Sequence, residues 1–254
     1  MSKFSLEFED VSFSYHHGEK AILEGLSFLV NEGEFVSIIG PSGSGKSTIF
    51  KLITGLEDHS GGKIAINGEV YGNRLGHVGY MPQQDLLMPW RTVLENAALP
   101  LEIQGATKTD ARERVVKLLD QFGLKGVENK YPSDLSGGMK QRISFLRTVL
   151  SGSNVLLLDE PFSALDAITR LAMQEWLLDQ WEKWKLSILF ITHDVDEALF
   201  LSDRIFIFTE QPVRKFVEVT VPLGRPRGIR DIHSPEVLQV KEELIEQLRS
   251  KVKL

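Results

Sequence analysis

The stretch Gly40-Pro41-Ser42-Gly43-Ser44-Gly45-Lys46-Ser47 decides the fold of this 254-residue chain. It fits the pattern G-x-x-x-x-G-K-S/T, in which a glycine-rich loop binds phosphate. The apolar residues 35–39 before it predict a buried strand, and the residues after it predict a helix that stops near Gly55. A strand, a glycine loop and a helix in this order are the context that the pattern requires.

The residue types in this loop indicate its chemistry. Gly43 and Gly45 lack a Cβ, so the backbone can curl and direct its N–H groups inward, and the helix N-terminus adds further unpaired N–H groups. We expect Lys46 to reach the β- and γ-phosphates of a nucleotide and the Ser47 hydroxyl to bind Mg²⁺. The alternative, a plain turn rich in glycine and serine, is less favoured between such a strand and helix. The remaining residues predicted to line this nucleotide site are Gly40, Pro41, Ser42, Ser44 and Thr48.

Composition limits the class of protein. Hydrophobic residues make up 42% and charged residues 25%, which is ordinary for a globular protein of one large or two modest domains. The net charge of −6 and the lack of a basic block argue against a nucleic-acid partner. The absence of cysteine excludes disulfides and thiolate metal sites. The N-terminal residues do not resemble a signal peptide, and every apolar run is shorter than the roughly 18 residues of a membrane span.

The order of patterns predicts an α/β fold. Apolar strands interleaved with helices indicate a mostly parallel sheet covered by helices on both faces, and the alternating residues near the N-terminus predict an antiparallel β subdomain. Residues 86–150 are predicted to be a helical subdomain inserted into a catalytic core of residues 1–85 and 151–254. Within it, Thr109 or Asp110 is expected to cap a helix that runs to 122. The runs 205–208 and 216–219 are predicted to be edge strands.

Two carboxylates follow the apolar run 155–158. Asp159 at the tip of that predicted strand can hold Mg²⁺ through water, and Glu160 can accept a proton from an attacking water. A helix cap or a surface turn is the plainer interpretation of such a pair. Tyr15, 25 residues before Gly40, can stack on an adenine ring or can be an ordinary strand tyrosine, and the spacing alone does not decide.

The stretch Leu135-Ser136-Gly137-Gly138-Met139-Lys140-Gln141-Arg142 resembles the signature sequence of ABC transporter ATPases, and it precedes Asp159-Glu160 as that family requires. The resemblance covers nearly the whole chain and rests on six ordered motifs. Met139 departs from the glutamine that many members carry, while the predicted phosphate-binding positions Ser136 and Gly138 are intact. This resemblance implies a P-loop NTPase core with ATP and Mg²⁺ as ligands.

The resemblance also implies roles for single residues. Tyr15 matches the adenine-stacking aromatic, and Gln83 matches the glutamine that senses Mg²⁺ and the attacking water. His193 matches the switch histidine that contacts the γ-phosphate, and Ser163-Ala164-Leu165-Asp166 matches a loop exchanged between subunits. The implied catalytic residues are Glu160, His193 and Gln83. The implied metal ligands are Ser47, Gln83 and Asp159. Residues implied to contact nucleotide from the signature and the exchanged loop are Ser136, Gly137, Gly138 and Asp166.

The implied working unit is a head-to-tail dimer that encloses two ATP molecules. The signature opens a helix, and its N–H groups form a second anion site that serves the ATP of the partner copy. Closure of the dimer then excludes water and completes each site.

The stretch 85–96, together with Met139, resembles the nitrate/sulfonate/taurine branch of importer ATPases, which also includes transporters of thiamine-precursor pyrimidines. This implies a peripheral protein at the cytoplasmic face of the membrane, with permease subunits as partners and a solute-binding protein as an indirect one. Trp90 can form a groove for a helix of the membrane subunit or can pack inside the helical subdomain. The alternatives are an exporter ATPase, a soluble ABC ATPase in translation or DNA repair, and a P-loop kinase, which would lack the signature.

Overall fold

The computed structural model describes residues 4–15, 20–163 and 165–249. In that part of the chain the strands are β1 Phe4–Phe13, β2 Leu23–Asn31, β3 Phe35–Ile39, β4 Gly61–Ile66, β5 Glu69–Val70, β6 Gly79–Met81, β7 Val155–Asp159, β8 Ser187–Ile191, β9 Arg204–Ile207 and β10 Val217–Thr220. The α-helices are α1 Lys46–Thr54, α2 Val93–Ile103, α3 Lys108–Leu119, α4 Gly137–Val149, α5 Ala167–Trp184, α6 Val195–Leu201 and α7 Pro235–Arg249.

The main sheet has six strands in the order β10-β9-β3-β8-β7-β6. All neighbouring pairs in it are parallel except β9 with β10. A second sheet is antiparallel and has the order β2-β1-β4-β5. The predicted α/β class, with a mostly parallel sheet and an antiparallel sheet beside it, is confirmed.

Strand β3 shows how the core is divided. Because successive side chains of a strand point to opposite faces, Phe35 and Ile39 pack with α5 and α6, whereas Val36 and Ile38 pack with α1 and the antiparallel sheet. Both faces of β3 are therefore covered, and every one of its residues is buried. A ligand can reach this strand only at its end, which is where ligands of such sheets bind.

The helices within residues 86–150 begin at polar caps. Thr92 caps α2, with its hydroxyl accepting from the Glu95 N–H, and the Glu95 carboxylate accepts from the Thr92 N–H in return. The prediction that Thr109 or Asp110 caps α3 is wrong. Thr107 is the cap, because its hydroxyl accepts from the Asp110 N–H at 3.2 Å, and the helix ends at Leu119.

The prediction of two edge strands is half wrong. Strand β10 lies at the sheet edge, but β9 lies between β10 and β3. The residues 205–208 are all buried, as expected of an interior strand that is covered on both faces. Among the described residues, none of the helices combines the length and apolar character needed to cross a bilayer.

Candidate active site

The glycine loop leaves β3 and enters α1 through two left-handed residues. Gly43 has φ 78° and Gly45 has φ 99°, conformations in which a side chain would be strained. A Cβ at Gly45 would also lie 3.0 Å from Cγ2 of Ile22. The sequence therefore needs glycine here for the backbone to turn into the helix, and the N-terminus of α1 is left open at the cleft.

Lys46 is held across this loop. Its ammonium is buried and donates to the carbonyl oxygens of Gly40 at 2.9 Å and Pro41 at 3.0 Å. Burial lowers the pKa of Lys46, while the charges of Glu160 and Asp159 raise it. A cation that is desolvated in this way gains most from an anionic partner such as a phosphate group.

Asp159 ends β7 beside the start of α1. Burial raises the pKa of Asp159, a hydrogen bond from the Ser47 hydroxyl lowers it, the Glu160 charge raises it, and the Lys46 charge lowers it. The same buried surroundings and the Asp159 charge raise the pKa of Tyr80 to about 12. The Asp159 carboxylate and the Ser47 hydroxyl thus form an adjacent pair of hard oxygen donors, which suits Mg²⁺.

Asp159 and Ser47 alone do not form a complete metal-binding site. The described part of the chain contains no group of three or more His, Cys, Asp or Glu side chains placed to hold a metal. Mg²⁺ characteristically binds one or two protein ligands and completes its shell with waters and phosphate oxygens. The donor set fits Mg²⁺ delivered with a nucleotide better than a resident metal ion.

Two of the predicted catalytic residues, Gln83 and His193, contact one carboxylate oxygen of the third, Glu160. Gln83 Nε2 donates to Oε2 of Glu160 at 3.0 Å, and His193 Nδ1 lies 3.4 Å from the same oxygen. These residues follow β6, β7 and β8, so the order of three neighbouring strands brings them together. His193 is 64% exposed and Glu160 21% exposed at the side chain, so solvent and ligand can reach both.

The backbone at Glu160 departs from the strand. Its φ of 45° is left-handed, a conformation that costs about 1–3 kcal/mol in a residue other than glycine. Hydrogen bonds hold it there, because its N–H donates to the Ile191 carbonyl at 2.9 Å and its carbonyl accepts from the Ser163 N–H at 3.2 Å. From this turn, Glu160 lines an open cleft beside the glycine loop.

These residues surround an open cleft of about 520 Å³. Its lining is formed by Ile39, Gly40, Pro41, Ser42, Lys46, Glu160, His193 and Leu248. Sequence reasoning missed Leu248. The sequence of α7 held no signal that the end of this helix reaches the cleft.

Tyr15 lies at one side of the loop. Its ring meets Phe13 edge-on at 4.9 Å, and its hydroxyl lies 3.3 Å from Thr48 Oγ1 and accepts from Lys51 at 3.3 Å. The residue is 41% exposed. An aromatic face is therefore available next to the first turn of α1, which suits the predicted stacking role.

The signature residues lie elsewhere on the chain. Ser136 caps α4 by accepting from the Met139 N–H at 3.3 Å, and both Ser136 and Gly137 are exposed. Gly137 lines a second open cleft of about 410 Å³, together with Gln83 and Leu165. Among the described residues that line the nucleotide cleft there is no signature residue. Gly137 and the glycine loop therefore line different clefts, and Gln83 of the second cleft is hydrogen-bonded to Glu160 of the first.

Asp166 of the predicted exchanged loop caps α5 and is exposed. Its Oδ1 accepts from the Thr169 N–H at 3.0 Å, and hydrogen bonds from Thr169 lower the pKa of Asp166. Ala164 of the same loop lies outside the described residues.

Comparison with known proteins decides the family. The family model described as ABC transporter matches residues 23–163, a span that includes the glycine loop, Gln83, the signature and Glu160.

The chain belongs to the ABC transporter family.

Two curated relatives of this ABC protein cover almost all of it. The formylaminopyrimidine import ATP-binding protein ThiZ of Halalkalibacterium halodurans is 52% identical over 87% of this chain and 86% of its own length. The aliphatic sulfonates import ATP-binding protein SsuB of Bacillus cereus is 39% identical over 92% of this chain and 91% of its own length. A dimeric ATP-binding cassette, solved in a post-hydrolysis state with ADP and Pi, has TM-score 0.75 and 29% identity over 86% of this chain and all of that one.

These findings confirm the resemblance to the sulfonate and thiamine-precursor branch and the ATPase class of this ABC protein. ATP is accordingly its nucleotide. The roles of the individual site residues stay a prediction.

The structure adds contacts around His193 that sequence reasoning missed. Glu197 of α6 is only 6% exposed and accepts hydrogen bonds from Thr192 and Gln174. Arg170 lies beside Asp194 with Nη1–Oδ2 at 3.6 Å. The one available signal was Glu197 itself, an acid on the buried face of the short helix α6. Because buried acids are rare without partners, such a residue indicates a hydrogen-bond network.

Proposed function

We propose that this chain is the ATP-binding and hydrolysing subunit of an ABC importer, in which two copies close head-to-tail over two ATP molecules. The observation that carries the proposal is the convergence of Gln83, Glu160 and His193 on one point beside the loop lysine. The names of the two curated relatives support import over export. We also propose residues 86–150 as a helical subdomain on the core.

The nucleotide is held by the loop. The N–H groups of the left-handed loop and of the first turn of α1 form the phosphate nest, and Lys46 exchanges the carbonyls of Gly40 and Pro41 for phosphate oxygens. Tyr15 offers its exposed ring to the adenine. Ser47 and Asp159, with Gln83, would hold Mg²⁺, which would supply neutralisation of negative charge on the phosphate oxygens.

Hydrolysis needs a positioned water and a proton acceptor. Glu160 Oε2 accepts the proton as the water oxygen bonds to the γ-phosphorus and the bond from that phosphorus to the β–γ bridging oxygen breaks, which leaves ADP and phosphate. Gln83 and His193 already contact Oε2, so they can orient the water and the γ-phosphate around that oxygen. Positioning and electrostatics supply most of the catalysis of phosphoryl transfer.

The second phosphate site comes from the partner copy. Ser136, Gly137 and Gly138 lie at the start of α4, and Gly137 lines a cleft different from the nucleotide cleft, so we assign them to the γ-phosphate of the partner's nucleotide. Asp166 and its loop lie next to this cleft through Leu165 and are assigned to the same interface. The dimeric cassette with ADP and Pi is a related protein that assembles in pairs.

The membrane partners bind at residues 86–90. Trp90 is 73% exposed and Leu86 58% exposed, which leaves apolar side chains for a permease subunit to cover. The protein is then peripheral to the cytoplasmic face of the membrane, and a solute-binding protein delivers the solute. The solute proposed first is a formylaminopyrimidine-type thiamine precursor, because that relative has the 52% identity, and a sulfonate-type solute is second.

The test is the variant Glu160→Gln, which keeps the shape of the side chain and removes the proton acceptor. We expect ATP hydrolysis to fall by roughly 10²–10⁴-fold, since that is the range for a general base. ATP should still bind, and the variant should elute as a dimer when ATP is present. Glu175→Gln, an exposed acid on α5, is the matched control and should hydrolyse normally. A Glu160→Gln protein that hydrolyses at the wild-type rate would reject Glu160 as the base.

A further inference from the structure

Helix α5 contacts the segment around the switch histidine at two points. Arg170 Nη1 lies 3.6 Å from Oδ2 of Asp194, and Gln174 Nε2 donates to Oε1 of Glu197 at 2.8 Å. Arg170 and Gln174 are four residues apart, so they project from the same face of α5. The backbone immediately after His193 is therefore held against α5.

The buried acid in this network fixes the other side of His193. The Thr192 hydroxyl donates to Glu197 and accepts from the Asp194 N–H at 3.0 Å. Asp194 Oδ1 accepts from the Glu197 N–H at 3.2 Å and so begins α6. Both neighbours of His193 are thus tied to Glu197, a residue to which the proposed mechanism gives no chemical step.

Arg170 also reaches the loop that faces the partner copy. Its Nη2 donates to the carbonyl of Leu165 at 3.1 Å, directly before Asp166. One guanidinium therefore touches the interface loop and the residue next to His193. A planar fork of donors can hold two acceptors in fixed relative positions, whereas an ammonium acts as a single point charge.

We propose that Arg170 is a positioning residue that aligns His193 with Glu160 when the partner copy engages the loop at Leu165-Asp166. Gln174 and Glu197 hold the start of α6 against α5. A movement of the loop would therefore shift Arg170, then Asp194, and through Asp194 the neighbouring His193. The inference rests on the proposed dimer function. It predicts that Arg170 governs the rate of hydrolysis in the closed dimer. ATP binding by the single chain should not depend on Arg170.

The experiment measures kcat and KM for ATP with the full-length chain and three variants. Arg170→Met keeps the aliphatic stem and removes both contacts, Arg170→Lys keeps the charge without the fork, and Lys183→Met changes an exposed cation on the same helix. We expect Arg170→Met to lower kcat by roughly ten- to a hundredfold with KM unchanged, since small misplacements of catalytic groups have effects of that size. Arg170→Lys should recover part of the rate, and Lys183→Met should match the wild type.

A double-mutant cycle identifies the pathway. Asp194→Asn keeps the cap oxygen of α6 and removes the charge that faces Arg170. If Arg170 acts through Asp194, the double variant Arg170→Met/Asp194→Asn loses no more rate than Arg170→Met alone. Losses that multiply would overturn the proposal. So would a wild-type kcat in Arg170→Met, or a fall in its thermal unfolding temperature accompanied by a matching rise in KM.

The outcomes separate this inference from the proposed function. If the wild-type chain hydrolyses ATP and Glu160→Gln forms an ATP-dependent dimer, an unchanged rate in Arg170→Met overturns only the role of Arg170. If the wild type does not hydrolyse ATP and Glu160→Gln stays monomeric with ATP, the proposed function fails and the positioning role falls with it.

Discussion

The nucleotide cleft and the signature cleft are both predicted to contact phosphate, yet they are built differently. At the nucleotide cleft, Lys46 and Asp159 shift each other's pKa, and the charge of Glu160 raises the pKa of both. At the signature cleft, Ser136 and Gly137 are exposed and the serine hydroxyl caps its own helix. The first region is a nearly complete reaction centre, whereas the second offers only the open end of a helix. The contrast fits the proposal that the two clefts are halves of one site, completed between two chains.

The largest expected effect separates nucleotide binding from dimer formation. Lys46→Ala removes the charged donor from the loop and should weaken ATP binding by the single chain roughly a hundredfold, since hydrogen bonds to charged groups contribute about 1.5–3 kcal/mol. Titration calorimetry with ATP and Mg²⁺ measures this. Lys183→Ala, at an exposed position of α5, is the control. Wild-type affinity in Lys46→Ala would show that the loop is not the nucleotide site.

A smaller effect is expected at the signature, and only after dimer formation. Ser136→Ala removes the α4 cap, which should lower the free energy of unfolding by about 0.5–2 kcal/mol. It should also slow hydrolysis about tenfold. The ATP affinity of the single chain should be unchanged.

A matched variant separates the two roles of this serine. Ser136→Asp keeps a good cap, since aspartate is favoured at that position, but places a negative charge toward the partner's γ-phosphate. It should unfold at the wild-type temperature and hydrolyse more slowly than Ser136→Ala. If Ser136→Asp hydrolyses at the wild-type rate, Ser136 does not face phosphate.

The smallest effect concerns stability and follows from burial at the nucleotide cleft. The folded-state pKa of Asp159 is raised above its ordinary 3.8, chiefly by burial. The protonated form is therefore favoured in the folded chain. Its stabilising contribution is present below the unfolded pKa and is lost as the pH rises through the folded pKa. Near neutral pH the ionised Asp159 thus lowers the free energy of unfolding of the nucleotide-free chain.

Asp159→Asn should accordingly raise the thermal unfolding temperature at pH 7 in the absence of nucleotide, by about 2–4 °C for each kcal/mol in a chain of this size. The gain should be much smaller at pH 3, which lies below the ordinary pKa of 3.8, so that Asp159 is mostly protonated in both states. Differential scanning calorimetry at the two pH values measures it. A variant that is less stable than the wild type at pH 7 would contradict this sign.

The two regions also differ in how much the sequence could predict. The glycine loop, Asp159-Glu160 and His193 follow apolar strands, and parallel strands place such residues at one edge of a sheet, so their nearness to one another could be anticipated from sequence. Sequence could not predict that β9 lies inside the sheet, because strand neighbours are chosen by long-range pairing. For the same reason the contacts of Arg170, Glu197 and Leu248 were missed. They depend on which helix packs beside which loop.

Complementation between two inactive chains tests the central claim, that each hydrolytic site is shared, most directly. Lys46→Ala disables the loop and Ser136→Asp disables the signature, and either variant alone should be nearly inactive. In a mixed dimer one site pairs both defects, and the other pairs an intact loop with an intact signature. An equimolar mixture should therefore regain about a quarter of the wild-type rate, since half of the dimers are mixed and each has one intact site of two. A mixture as inactive as its components would contradict the account.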